Sequence, residues 1–152
     1  MSHLHLHIGA GHTSLEQAHP AQQPSSMPIG WQSVLAAGPQ RLPSPAALEM
    51  AIMQVEDAIS TCWPQSLALN TISGSDPALY QIATQCGLPL QPGSQLGRHS
   101  VESLFSRLAN AVEGGSAAGL PDAADFVGSL LILRELMHHL DIAAITLERA
   151  AS

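Results

Sequence analysis

A chain of 152 residues, 45% of them hydrophobic, is long and apolar enough for one ordinary domain with a real core. Twelve carboxylates against five scattered arginines, with no lysine, leave a formal charge of -7; that balance excludes a phosphate-tracking nucleic-acid surface and docking to an anionic membrane. The apolar run 130–133 falls far short of the roughly 20 residues a bilayer span needs, and with no secretory leader pattern at the start the expected location is cytoplasmic.

In chain order, residues 1–44 differ in kind from the rest. They carry His3, His5, His7, His12 and His19, prolines at 20, 24, 28, 39 and 43, and glutamines and serines without sustained periodicity. Such a composition buries too little apolar surface to offset the entropy of ordering it, so it predicts a flexible tail. Two exceptions stand inside it: Leu4, Leu6 and Ile8 alternate with histidines at strand period, and Ile29, Trp31, Val34 and Leu35 could dock as an arm.

The expected globular domain covers 45–149. Ser44-Pro45 gives an N-cap followed by proline at the first helical position, and Leu48, Ile52, Val55 and Ile59 share one face, so a helix is predicted over 45–61. Leu67, Leu69, Thr71 and Ser73 alternate in a short run ended by Gly74, which predicts a strand. Asp76-Pro77 repeats the cap-plus-proline signal for a second helix, stopped at Gly87. Ser100 caps a third, carrying Val101, Leu104, Phe105, Leu108 and Val112 on one arc. The fourth runs from near Leu120-Pro121 to about Leu140, and 142–147 reads as strand, with continued helix as the alternative. The expected fold is therefore α/β or α+β: a helix-rich small domain of about four helices with a small sheet of two or three strands.

Three groups of residues bear on chemistry. In an extended chain the imidazoles of His3, His5 and His7 project to one side, with His12 and His19 able to add a ligand, a pattern that suits zinc, nickel or copper. His138 and His139 diverge by about 100° on a helix and cannot easily share one ion; their place at a helix C-terminus, with Glu135 one turn before His139, has an electrostatic cause. Ser73-Gly74-Ser75-Asp76 is a strand-to-helix turn that lacks the spacing and the lysine of a phosphate loop and is accounted for as a turn with an N-cap. Cys62 and Cys86 lack redox spacing and read as two reduced thiols.

The fourth helix is apolar on more than its main face. Val127 and Leu131 form a second stripe and Ile132 lies on another side, so the helix is either central, the reading a chain this small favours, or offers these three to another protein or a second copy of this chain. The leading expectation is a non-enzymatic accessory or interaction module acting through that helix and the acidic surface. Metal binding or delivery by the early histidines is the alternative. A small enzyme using a cleft beside the Ser73–Asp76 turn or His99 stands third, to be favoured if those groups converge with a carboxylate.

Overall fold

The computed structural model describes residues 3–17, 25–35, 42–68 and 70–149. His19, Leu69 and the prolines at 20, 24 and 39 lie outside the described residues. Among those described, the order is β1 (His3–Ile8), β2 (Thr13–Gln17), β3 (Ser25–Met27), α1 (Trp31–Val34), α2 (Pro45–Cys62), β4 (Thr71–Gly74), α3 (Pro77–Gln85), β5 (Gln95–Gly97), α4 (Arg98–Val112), α5 (Ala124–His139) and β6 (Ala144–Leu147).

The strands form one six-stranded mixed sheet in the order β3-β2-β1-β4-β6-β5. Strands β1, β4 and β6 run parallel at its centre, while β2 and β3 on one side and β5 on the other are antiparallel to their neighbours. This corrects the expectation of a sheet of two or three strands: three of the six come from residues 3–27, and the sheet runs across the division drawn at residue 44. Composition fails as a guide there because half of the hairpin's positions face away from the core. Leu4, Leu6, Ile8 and Leu15 are buried, and the intervening positions can be histidine, serine or glutamate without loss to the core.

Register sorts the side chains into two faces. Leu6 lies opposite Leu15 and Gly74, and Ile72 lies opposite Ile145, so the aliphatic residues of five strands share one face. On that face they join one continuous hydrophobic cluster with the helices. His5 lies opposite Glu16 and Ser73, and Ser73 opposite Thr146, so the other face is polar. Along it His3, His7, Glu16 and Thr71 are exposed, and Ser14 and Ser73 are buried beneath their neighbours.

Helix α5 occupies the middle of the helical layer and packs against α1, α2, α3 and α4. Its middle is largely enclosed, and its ends, with His138 and His139 at the last turn, reach solvent. Gly128 is required for this arrangement, since a Cβ there would stand 2.4 Å from the carbonyl oxygen of Trp31 in α1. Val127, Leu131 and Ile132 are 1%, 0% and 0% exposed; the expected interface is the interior of the domain. A helix apolar all round is a central helix.

The first two long helices follow their capping signals, whereas α4 opens at Arg98 behind Gly97, so Ser100 lies inside it, and α5 opens at Ala124 and not at Leu120-Pro121. The Ser44 hydroxyl accepts the Ala47 N–H at 3.1 Å, and Pro45 opens α2. Gly87 adopts φ +79° just after the end of α3, where a residue with a Cβ would be strained. Two elements depart from expectation in kind: α1 is a single turn, which brings the described helices to five, and β5 is a three-residue strand recruited by β6. Both are too short to show a period. No described helix is long and apolar enough to cross a membrane.

Candidate functional site

Adjacent parallel strands whose chains depart in opposite directions leave a crevice outside their carboxyl ends. In this sheet the pair is β1 and β4: β1 turns back into β2 and β3, whereas the chain after β4 goes on to β6 and β5. By that rule the crevice falls between the turn 9–12 and the end of β4 with Ser75 and Asp76.

The first turn is a hairpin closed by the Gly9 N–H donating to the His12 carbonyl at 2.8 Å. Its outward carbonyls are taken up by α1, where the Trp31 N–H donates to Gly9 at 3.0 Å and the Gln32 N–H to Ala10 at 2.9 Å. Gly30 permits that approach, since a Cβ on it would lie 2.2 Å from the Gly9 oxygen. Gly11, by contrast, faces open space, with nothing within 4 Å of where a Cβ would stand.

The second turn supplies Asp76. It occupies the N-cap position of α3, yet its side chain makes no capping bond. One carboxylate oxygen accepts the Ile8 N–H at 2.8 Å and the other lies 2.7 Å from His7 Nδ1. The cause is local: pairing of β1 with β4 ends at Leu6 opposite Gly74, so the Ile8 N–H points toward β4 without a strand partner, and Asp76 satisfies it. The Asp76 side chain is 14% exposed and that of His7 is 49% exposed. A largely buried carboxylate thus orients an accessible imidazole, whose Nε2 stays available for proton transfer. The His12 ring stands edge-on, its centroid 6.2 Å from that of His7.

The structure therefore divides the expected metal ligands. His3 Nε2 lies 2.9 Å from the Ser73 hydroxyl and 3.5 Å from Glu148, His5 lies 3.5 Å from Glu148, and His7 pairs with Asp76. The three imidazoles do not close on one point: His3 and His5 share the Glu148 carboxylate, and His7 takes Asp76. Among the described residues, the one set of three metal-capable groups whose ligand atoms lie within 4.8 Å of one another is Glu56, Glu135 and His139. The His138–His139 pair splits as its helical spacing requires, His138 toward Glu102 at 3.8 Å and His139 toward Glu56 and Glu135.

A second depression, of about 240 Å³, is lined by Gln85, Cys86, His99, Ser100, Ser103, Leu104 and Arg107. It holds the neighbours His99 and Ser100 but no carboxylate to orient the imidazole. Cys86 donates to the Ser100 carbonyl at 3.6 Å, and burial pushes its thiol above the usual range, partly offset by Arg107. This site lacks the base-and-orienter pairing that the crevice has.

No protein-family model matches the sequence, and no curated protein matches it. Solved structures do match in fold. The type II variant of the Aquifex aeolicus Ppx/GppA phosphatase superposes with a TM-score of 0.72 at 14% identity, over 97% of this chain and 53% of that one. An exopolyphosphatase-like protein gives 0.70 at 16% identity, over 98% and 55%. An exopolyphosphatase from Cytophaga hutchinsonii gives 0.57 at 18% identity, over 97% and 53%. The likeness is one of fold, and the chain spans about half the length of the structures it matches. Together with the burial of Val127, Leu131 and Ile132, it corrects the expectation of a non-enzymatic accessory module. The apolar helix face that reading needed is inside the domain, and the fold is shared with proteins described as phosphatases. Metal delivery by a tail is corrected as well, because His3, His5 and His7 sit in β1 and are engaged with carboxylates and a hydroxyl.

Proposed function

We propose that this chain is a hydrolytic domain acting on phosphoanhydrides of the polyphosphate class, with the substrate's terminal phosphate held in the crevice between β1 and β4. The observation that carries this reading is the His7–Asp76 pair, set at the point where strand directions diverge on a fold shared with exopolyphosphatase-like proteins. Asp76 fixes the imidazole through Nδ1, and His7 Nε2 takes a proton from the attacking water. The water oxygen bonds to the terminal phosphorus, the P–O bond to the next phosphate breaks, and orthophosphate leaves together with a chain shorter by one unit. The turn 9–11, with no side chain larger than alanine, lets a phosphate approach the backbone. His12, on the rim, is placed to interact with the charge that develops on the leaving oxygen.

With a formal charge of -7 on the protein, the polyanion is expected to arrive with its counter-ions. Because the matched structures carry as much chain again, a second lobe, in cis or from another polypeptide, would close the crevice and supply the cationic contacts missing here. A cytoplasmic setting suits the two free cysteines, Cys62 and Cys86. The test is release of orthophosphate from linear polyphosphate, with binding followed by phosphorus NMR. His7→Gln should cut release by about 10²- to 10⁴-fold while leaving binding in place. Polyphosphate that neither binds nor is cleaved, or a His7→Gln variant as active as the parent, rejects the reading.

A further inference from the structure

A second histidine–carboxylate cluster lies away from the crevice, where α2 meets the last two turns of α5. Glu135 and His139 are one helical turn apart and so face the same way, and Glu56 reaches them from α2. His139 Nε2 is 3.4 Å from Glu135 Oε1 and 3.5 Å from Glu56 Oε1. Charge-assisted N–H···O bonds close to about 2.7–2.9 Å, and these contacts are longer than that. They match the edge of a tetrahedron of ligands around zinc, about 3.3–3.4 Å for metal–ligand bonds of about 2.0–2.1 Å.

The independent sign of a missing ligand is Glu135 itself. Its side chain is 0% exposed. Oε2 is taken by Arg134 Nη1, whereas Oε1, the oxygen directed at His139, is buried and accepts no hydrogen bond. A buried carboxylate oxygen without a donor is costly and calls for a partner. Burial also lifts the Glu135 carboxyl above its usual range, with Arg134 opposing and Glu56 reinforcing that shift. The side chains of His139 and Glu56 are 31% and 40% exposed, so an ion has a way in and a face left for water.

We propose that Glu56, Glu135 and His139 form a binding site for one divalent cation of the zinc class, its remaining coordination open to solvent, which fastens α2 to the central helix α5. Two carboxylates balance the ion's charge, and Arg134 on Oε2 fixes the orientation in which Oε1 is presented. The mix of one imidazole and two carboxylate oxygens suits zinc, cobalt or manganese over calcium, which takes oxygen alone. The site uses neither turn of the crevice and stands whether or not polyphosphate is the substrate.

The full chain, stripped with chelator, is titrated with zinc chloride by calorimetry and with cobalt chloride by visible absorption. The expected result is one tight site per chain with a tetrahedral cobalt spectrum, and a melting temperature raised by about 5–10 °C at a hundredfold excess over Kd. His139→Ala and Glu56→Gln, both at the open rim, should each lower zinc affinity about 100-fold, while His7→Gln retains the site. Unchanged zinc affinity in His139→Ala and Glu56→Gln would place the ion elsewhere and overturn the proposal. So would a Glu135→Gln variant that melts higher without metal, in a protein whose parent shows no response to zinc; that outcome assigns the cluster to a shared proton.

Discussion

The molecule holds two meetings of histidine with carboxylate, and they differ in separation and burial. At the crevice His7 and Asp76 stand 2.7 Å apart with the imidazole half exposed, the geometry of a hydrogen bond made through one ring nitrogen, with the other beside Gly9. At the α2–α5 junction His139 stands 3.4 Å from a carboxylate that is wholly buried and 3.5 Å from another. The same residue types therefore serve opposite ends: the short pair can exchange a proton, and the longer triad, with one carboxylate wholly buried and two rim groups part exposed, can hold an ion. Distance and access, more than identity, decide what a histidine does.

This contrast can be broken by variants that move one site and not the other. The largest effect is expected from Asp76→Asn, which should lower phosphate release by about 10²- to 10⁴-fold through loss of imidazole orientation, measured beside zinc calorimetry that stays unchanged; loss of both would mean that the sites are not separate. Gly30→Ala comes next. Its Cβ would collide with the Gly9–Ala10 backbone, so chemical denaturation should show a loss of about 1–3 kcal/mol and hydrolysis should fall while the cobalt spectrum persists. Ser73→Ala removes the hydroxyl that bonds His3, at a cost of about 0.5–1.5 kcal/mol in the same assay. The smallest effect belongs to the depression beside His99. Cys86→Ser should leave phosphate release within about twofold of the parent, and Cys86 should alkylate more slowly at neutral pH than an unperturbed thiol, because burial keeps it protonated. A large loss of hydrolysis in Cys86→Ser would move the active site from the crevice to that depression.

The sequence was most legible where local chemistry acts alone. Ser44-Pro45 and Asp76-Pro77 mark the starts of α2 and α3 to the residue, and Gly87 marks where α3 stops. The alternation of Leu4, Leu6 and Ile8 was visible as well, but the histidines between them lower the apolar content of the segment and masked a central strand. What completes β1 is the pairing of His3–Leu6 with Thr71–Gly74, residues nearly seventy positions away, and no local window contains that partner. The crevice was obscured for the same reason. Asp76 reads as a helix cap in sequence, and only the arrival of the Ile8 N–H and His7 turns its carboxylate to another use. The apolar excess of α5 is legible in another way: Val127, Leu131 and Ile132 are surplus to one apolar face, which fits a central helix or an interface, and the surplus reflects four packed helices and not an outside partner.

The outermost strands of the described sheet, β3 and β5, have three residues each. Borders this brief offer little backbone for a foreign strand to zip onto, so lateral growth into aggregates is discouraged.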